Sequence, residues 1–299
     1  MELFVSQVLN GIGNGVIYGS VALALVLIFR VTGILNFAQG EMALFSTYIT
    51  WELTDAGVAV WLSILLSMAV AFVGGAVIER VLIRPVEEAR SPLNVVIVTL
   101  GMFLAINSLA QLTFGTEPKL MPSPFPSGSV ELFSSGGDTI DVSKGTLGLI
   151  AVLIAECVVL WFLLQRTRLG LRLRAVASNP ESARLVGIKT GAMLMLGWGM
   201  AAALGAAAGS LVASERTGID ASLMQIILVY AFAAAALGGF DSLIGAVVAG
   251  LIVGVAHALT IEYVDALDGI ELVMPLGLIL VVLLVRPNGL FGRRTVERV

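Results

Sequence analysis

Three polar side chains that can exchange hydrogen bonds with a small solute stand close together near the start of the chain. Asn36, Gln39 and Glu41 lie in the stretch TGILNFAQGEMALFSTY, residues 32–48, between two apolar segments. Amide side chains donate and accept hydrogen bonds without carrying charge, so they suit transient contacts with a zwitterionic or amide-bearing solute. The pattern therefore predicts that Asn36 and Gln39 line a translocation pathway. Glu41 is predicted to support the start of the second helix, where a carboxylate meets free N–H groups and the helix dipole.

Two interpretations of this stretch, here called the first break (residues 33–40), are open from the residues alone. In hydrocarbon every backbone N–H and C=O group must be satisfied, so non-helical backbone survives only where protein or a water-filled cavity covers it. Transporters use such broken helices to present polar groups at their binding sites. The other interpretation is a tight cytoplasmic turn after Arg30, with Asn36 as the N-cap of the next helix. The two are compatible, because a helix that starts at a break also needs a cap.

A second interruption of similar type occurs in ALGGFDSLIGA, residues 236–246, here called the second break. Two glycines precede Asp241 and Ser242, and apolar segments flank the stretch on both sides. By the same reasoning, Asp241 and Ser242 are predicted to line the translocation pathway.

The other chemically active side chains do not form a catalytic or metal-binding set. The chain has one histidine, His257, and one cysteine, Cys157, and each lies in an apolar segment. His257 is expected to take a hydrogen-bonded packing role. Glu156 lies in the middle of an apolar segment, where an ionisable group is a candidate for a transport function. We predict no catalytic residue, no metal site and no cofactor bound by this chain, so it is not expected to be an enzyme.

Composition indicates a helical membrane protein. The 299 residues are 58% hydrophobic and 13% charged, with a mean hydropathy of +0.99, whereas soluble domains carry about 25% charged residues. We predict an all-α polytopic membrane protein with a single transmembrane domain over residues 1–299. About nine transmembrane helices, some of them broken, are expected because a span needs about 20 residues. The apolar segments are 5–29, 33–51, 58–78, 92–114, 146–164, 190–213, 222–238, 242–260 and 271–285.

The distribution of Lys and Arg predicts the orientation of the chain. Of the 17 basic residues, all except Lys119, Lys144 and Arg216 fall on one side if the segments alternate across the membrane. The positive-inside rule makes that side cytoplasmic. The N-terminus is then outside and the C-terminus cytoplasmic. The stretch 115–145, rich in Pro, Ser and Gly, becomes an extracytoplasmic loop with room for a short hairpin, and the stretch 165–190 is cytoplasmic.

The stretch 165–190, here called the basic segment, carries the signals of a short, well-capped helix. Residue types that favour helix ends occur in the expected order at Asn179, Pro180, Glu181 and Gly187. A helix of about two turns is predicted, with Ala183 and Val186 on one compact face. Such a helix is either a stiffener of the loop or a knob that docks into a groove on a soluble motor subunit.

Four motifs taken together resemble one family of permeases. TGILNFAQGE, RAVASNPESARLVGI, LGGFDSLIGAVVAG and the C-terminal RPNGLFG occur in this order. Over nearly its whole length the chain looks like a LivH-type permease of the branched-chain amino acid ABC importers. The resemblance implies a multi-pass subunit in the cytoplasmic (inner) membrane of a prokaryote. It also implies alternating access driven by ATPase partner subunits, with a branched-chain amino acid or a similar small amphipathic solute as cargo.

The resemblance further implies a set of partners. They are a homologous LivM-like permease, two LivG- or LivF-like ATPase subunits and an extracytoplasmic substrate-binding protein, with membrane lipid around the spans and no nucleic acid. ATP-Mg would be bound by the ATPase subunits, because the sequence contains no G-x-x-x-x-G-K-[ST] loop. Residues 180–186 are similar to the coupling helix that contacts the ATPase. This similarity assigns ATPase coupling to Asn179, Pro180, Glu181, Ala183, Arg184, Leu185 and Gly187.

Two positions depart from the family pattern, and both lie on the predicted pathway. Gln39 stands where the family often has His, and Asp241 where it usually has Gly. These positions bear on the choice of solute, since relatives of the family carry urea, amides or other small organic solutes. The alternative function is an ion-coupled secondary transporter that acts without an ATPase. It would need paired intramembrane charges or a sodium cage, for which Glu156 is the candidate.

Overall fold

The computed structural model describes residues 2–87, 92–135, 138–216, 218–267 and 269–292. Within these ranges the chain is built from α-helices and one two-stranded hairpin, as the all-α prediction requires. The helices are α1 (Glu2–Thr32), α2 (Gln39–Asp55), α3 (Val60–Ile78), α4 (Arg84–Glu87), α5 (Pro92–Phe114), α6 (Lys144–Arg166), α7 (Arg168–Ser178), α8 (Pro180–Leu185), α9 (Thr190–Glu215), α10 (Leu223–Gly238), α11 (Leu243–Tyr263) and α12 (Val273–Val285). A five-residue π turn (Glu79–Ile83) joins α3 to α4, and a 3-10 turn (Asp265–Leu267) follows α11.

The long helices coincide with the apolar segments of the sequence. In the described ranges, six helices are long and apolar enough to cross a membrane: α1, α3 with its continuation to Val86, α5, α6, α9 and α11. The apolar helices α10 and α12 are shorter, and α2 has 17 residues. The chain is therefore a multi-pass membrane protein.

The stretch 115–145 contains the short hairpin for which the sequence left room. Strands β1 (Ser129–Ser135) and β2 (Asp138–Ser143) pair antiparallel, with a register shift between Glu131 and Phe133. The Gly128 carbonyl accepts a hydrogen bond from the N–H of Lys144, so α6 begins where the hairpin closes.

The chain divides into two compact units, each assembled from several parts of the sequence. The first unit comprises Met1–Val26, Phe125–Ile154 and Ile226–Val299. The second unit comprises Leu27–Pro124 and Ala155–Gln225.

In the first unit, α1 and α11 approach each other backbone to backbone. A Cβ atom added to Gly250 would overlap the backbone of Gly19, and one added to Gly254 would overlap that of Gly15. Small residues at helix interfaces permit such approach in membranes, where association depends on close packing rather than on burial from water. The glycines of GAVVAGLIVG therefore hold these two helices together.

His257 on α11 lies in a cluster of aromatic rings in the first unit. Its Nδ1 lies 2.9 Å from the hydroxyl of Tyr18, whose ring stacks on Tyr230 with centroids 4.7 Å apart. Buried aromatic side chains with polar tips usually find such partners. This arrangement agrees with the hydrogen-bonded packing role expected for the histidine.

In the second unit, α2 packs against α3, α5 and α9. The ring of Tyr48 stacks on Phe114 of α5 at 5.0 Å, and the hydroxyls of Thr50 and Ser210 bridge α2 and α9 at 2.8 Å. These contacts fix α2 on two sides and so set the position of the first break at its N-terminal end.

Candidate functional site

The first break interrupts the helical backbone, as the sequence predicted. α1 ends at Thr32, and Gly33 takes a φ of +73°, a left-handed conformation that glycine adopts at little cost. Residues 33–38 are not helical, and α2 begins at Gln39, so the last two residues of the predicted break already belong to the helix.

The side chain of Asn36 satisfies the backbone of the break. Its Oδ1 accepts a hydrogen bond from the N–H of Ala38 at 3.0 Å, and its Nδ2 donates to Oε1 of Gln39 at 3.3 Å. The N-cap interpretation of Asn36 is therefore wrong. Ala38 occupies the N-cap position of α2, and no side chain caps it. Asparagine instead closes a tight turn by bonding the main chain two residues onward.

Gln39 ties the break to α9. Its Nε2 donates to the carbonyl of Ala201 at 2.9 Å. Ala201 lies about 17 Å along α9 from Thr190 and about 21 Å from Glu215, at 1.5 Å rise per residue. The first break therefore sits beside the middle of a membrane-length helix, which favours a break within a span over a turn at the membrane surface.

Glu41 is fully buried in the first turn of α2, and one of its hydrogen-bond partners comes from α5. Asn107 donates from Nδ2 to Oε2 of Glu41 at 2.9 Å and to the carbonyl of Ala221 at 2.8 Å. Oδ1 of Asn107 in turn accepts from Nε2 of Gln111 at 2.6 Å. Asn107 thus joins α5 to the start of α2 and to the chain just before α10.

Asn107 was not among the residues predicted from the sequence, although a signal for it was present. Asn107 and Gln111 stand four residues apart in the apolar segment 92–114, which places two amides on one helix face. Polar residues facing inward within a span usually bond another part of the protein.

A cavity of about 220 Å³ lies between α2, α3 and α5. Its lining is apolar and includes Phe45, Val70, Ile106 and Leu109, with Ser46 as the exception. The hydroxyl of Ser46 is already bonded to the carbonyl of Met42 at 2.7 Å. Apart from the Ser46 oxygen, the lining offers no partner for the charges of a zwitterionic solute, so this cavity is a weaker polar site than the first break.

The basic segment contains the predicted short helix, α8, with both ends capped. Oδ1 of Asn179 accepts from the N–H of Ser182 at 2.8 Å. At the other end Gly187 has a φ of +82°, and the N–H groups of Gly187 and Ile188 donate to Arg184 and Ala183. These two hydrogen bonds form a Schellman motif, which needs a residue that tolerates the left-handed conformation.

The two residues of the predicted compact face of α8 differ in exposure. Ala183 is buried, but Val186 is 76% exposed and the neighbouring Leu185 is 88% exposed. Val186 is the C-cap of α8. α8 therefore presents two large apolar side chains outward from an otherwise basic segment.

A second helix in the basic segment, α7, was missed by the sequence analysis. Leu173 and Val176 are buried on one face, and the hydroxyl of Thr167 caps the start by accepting from the N–H of Gly170 at 3.1 Å. The three-residue spacing of the two apolar side chains, with arginines between and around them, was the available signal.

The second break lies in the first unit, whereas Asn36, Gln39 and Glu41 lie in the second. Ser242 is the N-cap of α11, and its hydroxyl accepts from the N–H of Gly245 at 3.0 Å. Asp241 beside it is partly buried.

The C-terminal RPNGLFG motif packs against the second break. The N–H of Leu290 donates to the carbonyl of Leu237 at 2.7 Å, and that of Phe291 donates to Gly238 at 3.1 Å. The last carbonyls of a helix have no partner within the helix. The motif therefore satisfies the end of α10.

Sequence comparison assigns the chain to a family. The family described as branched-chain amino acid transport system, permease component, matches residues 7–283. The high-affinity branched-chain amino acid transport system permease protein LivH of Salmonella typhimurium is 31% identical, over 99% of this chain and 98% of its own length. The chain belongs to the branched-chain amino acid transport permease family.

Other relatives extend the comparison. The permease protein BraD of Pseudomonas aeruginosa, named for the same transport system, is 29% identical over 99% of this chain and 98% of its own length. The fructose import permease protein FruF of Bifidobacterium longum is 25% identical over 79% of this chain and 65% of its own length.

Membership of the branched-chain amino acid transport permease family confirms the resemblance seen in the four motifs. The chain is a permease subunit of an ABC importer. The ion-coupled secondary transporter is not favoured, because the matching family is a component of a transport system.

Proposed function

We propose that this permease carries a branched-chain amino acid, or a similar small amphipathic solute, into a prokaryotic cell through the cytoplasmic (inner) membrane. The observation that carries the proposal is the hydrogen bond from Gln39 to Ala201, which holds a polar helix break beside the middle of α9. Transporter binding sites lie near the bilayer midplane at discontinuous helices. The family relatives named for branched-chain amino acids supply the solute class.

Asn36 and Gln39 are the proposed polar contacts on the translocation pathway. Both are fully buried and bond each other, and Gln39 bonds the Ala201 carbonyl. Hydrogen bonds between neutral groups contribute about 1 kcal/mol each, so exchange with the polar groups of a passing solute is energetically feasible. Opening of the pathway would turn these amides from each other to the solute, without leaving a charge buried.

Asp241 and Ser242 are proposed to contribute a second, separate part of the pathway. The Ser242 hydroxyl already caps α11, and the C-terminal motif bonds the preceding helix end. The motif that follows α12 packs on the second break. Because α12 ends on the cytoplasmic side, Asp241 and Ser242 lie at the cytoplasmic end of the pathway. Glu41 is proposed to support the start of α2, through its place in the first turn and its bond from Asn107.

The remaining topology follows from the charges. We propose nine membrane segments, formed by α1, α2, α3, α5, α6, α9, α10, α11 and α12, with the N-terminus outside and the C-terminus cytoplasmic. Among them α2 begins within the membrane, at the first break. The loop 115–145 with its hairpin is then extracytoplasmic, and the basic segment is cytoplasmic. α12 has 13 residues, whereas a span needs about 20, so α12 would need its flanking residues to complete a crossing.

α8 is the proposed contact with an ATPase subunit. Its exposed Leu185 and Val186 form an apolar knob, and Arg184 and Glu181 flank it with charge. Capping at both ends by Asn179 and Gly187 makes the knob rigid, which suits transmission of a displacement. Pro180 fixes the first turn, and Ala183 anchors the helix on the body of the unit.

The proposed complex contains two permeases and two ATPases. The partners are a LivM-like homologous permease, LivG- and LivF-like subunits that bind ATP-Mg and hydrolyse it, and an extracytoplasmic binding protein that delivers the solute. Permeases named for branched-chain amino acids and for fructose both match this chain. This breadth supports a division of labour in which the binding protein selects the solute and the permease conducts it.

Uptake by the reconstituted complex tests the proposal. Proteoliposomes that contain the permease with its ATPase subunits and binding protein should accumulate labelled leucine, isoleucine or valine when ATP is supplied on the ATPase side. A non-hydrolysable ATP analogue should abolish uptake. Uptake that instead follows a sodium or proton gradient, with no need for ATP or binding protein, would overturn the assignment.

A further inference from the structure

Glu79 and Arg84 form an ion pair across the π turn that ends α3. Nη2 of Arg84 lies 2.7 Å from Oε2 of Glu79, and Nε lies 3.2 Å from Oε1, so the guanidinium engages both carboxylate oxygens. Residues five apart point in different directions on an α-helix but are brought together by the i to i+5 bonding of a π turn. The main-chain N–H of Arg84 also donates to the carbonyl of Glu79.

The same guanidinium reaches the base of α9. Nη2 of Arg84 donates to the carbonyl of Gly191 at 2.7 Å. A Cβ atom on Gly191 would lie within 2.8 Å of the guanidinium, so the glycine provides the room for this contact. Lysine cannot reproduce the planar fork that bonds two carboxylate oxygens and a carbonyl together.

The base of α9 is also bonded to α8. Nε of Arg184 donates to the hydroxyl of Thr190 at 2.9 Å. Thr190 and Gly191 are the first two residues of α9. The first turn of α9 is therefore held by one arginine from α8 and by another from the start of α4.

Beyond the first turn of α9, the backbones of α3 and α9 approach each other closely. A Cβ atom on Gly75 would meet the carbonyl of Trp198 at 2.7 Å, and one on Gly199 would meet the carbonyl of Phe72 at 2.7 Å. Interiors packed this closely transmit displacement rather than absorb it. One turn further along, the carbonyl of Ala201 receives the bond from Gln39.

We propose that Arg84 is a positioning residue that locks α3 to α9, so that displacement of α8 moves both helices together and reaches the first break. The inference rests on the proposed role of α8 as the ATPase contact. Without the lock, α8 would pull on the first turn of α9 alone, and part of the displacement would be lost in bending that turn. The buried carboxylate of Glu79 serves to orient the guanidinium.

The test follows the first break with a reactive thiol. In a Cys157→Ala background, Ile34→Cys places one cysteine in the break, and its rate of reaction with N-ethylmaleimide is measured in the assembled complex. The rate is compared without nucleotide and with ATP plus vanadate. Three variants are added separately: Arg84→Lys, Glu79→Gln and Arg80→Gln. Arg80 is the matched control, because it is exposed in the same turn and its side chain has no hydrogen bond or ion pair to any other residue that the structure describes.

ATP should change the reaction rate in the background and in Arg80→Gln. In Arg84→Lys and Glu79→Gln the ATP-dependent change should shrink by about 2-fold to 30-fold, the usual range for residues that mediate coupling. Complex yield and ATPase rate should stay near those of the background, which separates positioning from folding. Arg84→Lys preserves the buried charge pair and is the decisive variant.

A further variant, Leu185→Ser, distinguishes a failure of the Arg84 lock from a failure of the proposed ATPase contact through α8. Leu185→Ser should weaken ATPase attachment and abolish the ATP-dependent change. If it has no effect, the proposed contact through α8 is wrong. If it abolishes the change while Arg84→Lys and Glu79→Gln retain it in full, the lock is wrong and the contact stands. A background thiol that does not respond to ATP would also overturn the lock, since the break would then be uncoupled from α8.

Discussion

The side-chain amide of Gln39 bonds the main-chain carbonyl of Ala201 at 2.9 Å, across 162 residues of sequence. The carbonyl belongs to a helix, so it already has a main-chain partner and offers its second lone pair. The bond therefore costs α9 nothing and fixes the first residue of α2 beside the middle of α9. Because Gln39 also accepts from Asn36, one side chain joins the break to a membrane-length helix.

Replacement of Gln39 by leucine should impair transport. Gln39→Leu removes the partner of the Asn36 amide and the link to Ala201, and each buried group left unpaired costs about 1–3 kcal/mol. We expect leucine uptake by proteoliposomes to fall about fivefold or more, with the ATPase subunits still attached. Asn36→Leu should act in the same direction, because it removes the bond to the Ala38 main chain.

Gln39→His is the matched control for this prediction. A neutral imidazole has one nitrogen that donates and one that accepts, so it can replace both bonds of the glutamine amide. We expect this variant to retain most of the uptake. Equal uptake by Gln39→Leu and the unaltered chain would show that Gln39 is not on the pathway. If Gln39→His were as inactive as Gln39→Leu, the size of the side chain rather than its hydrogen bonding would be decisive.

Asn107 should be a determinant of stability. Asn107→Leu removes the Asn107 donor from Oε2 of Glu41 and from the carbonyl of Ala221 in a part-buried site, at up to about 1–3 kcal/mol for each group. We expect a lower melting temperature in detergent and less assembled complex. Glu41→Gln should also reduce the amount of folded complex. Gln111→Leu removes a single donor to Asn107, so it should have a smaller effect than Asn107→Leu. An Asn107→Leu variant with the same melting temperature as the unaltered chain would contradict a stabilising role for this network.

The helices were predictable from the sequence because each long one follows from a run of apolar residues, and α8 was predictable from its caps. Asn179, Pro180 and Gly187 act locally, through bonds to residues within a few positions, and such signals survive in a single sequence. The first break was predictable for the same reason, since its glycine and polar residues are adjacent.

The partners of these residues could not be predicted, because they are set by packing between distant helices. Nothing near Gln39 indicates the carbonyl of Ala201, and nothing near Glu41 indicates Asn107. The apolar segment was expected to end at residue 78, just before Glu79. Only the π turn, which brings Glu79 against Arg84, explains why a carboxylate can be buried there.

Disruption of both ends of α8 should uncouple ATP hydrolysis from uptake. Gly187→Val places a β-branched residue at a φ of +82°, and Glu181→Ala removes the acidic residue of the first turn. The combined variant should keep inserting into the membrane, while uptake per ATP hydrolysed falls about fivefold or more. Glu181→Ala alone serves as the control, since its effect on an exposed helix is within about 1 kcal/mol. Uptake at the normal ratio in the double variant would show that a rigid α8 is not required.

Thiol labelling should distinguish the two sides of the membrane. In a Cys157→Ala background, a cysteine introduced by Ser127→Cys in the stretch 115–145 should react with a membrane-impermeant maleimide added to cells with a permeabilised outer membrane. Ser178→Cys, at the exposed end of α7, should react only after the cytoplasmic membrane is breached. The opposite pattern would invert the orientation derived from the basic residues.

Two glycine substitutions should separate helix contact from helix propensity. Gly254→Ala places a methyl group on the backbone of Gly15, and forcing extra volume into a packed contact costs about 1–3 kcal/mol. Gly277→Ala adds the same group on α12 where nothing lies within 4 Å, so it should be neutral or slightly stabilising through better helix propensity. We expect the first variant to melt about 2 °C or more below the unaltered chain in detergent, and the second to melt at or above it. Because both changes add one methyl group inside a helix, helix propensity cancels in the comparison. A shared melting temperature for the two variants would mean that α1 and α11 are not in backbone contact.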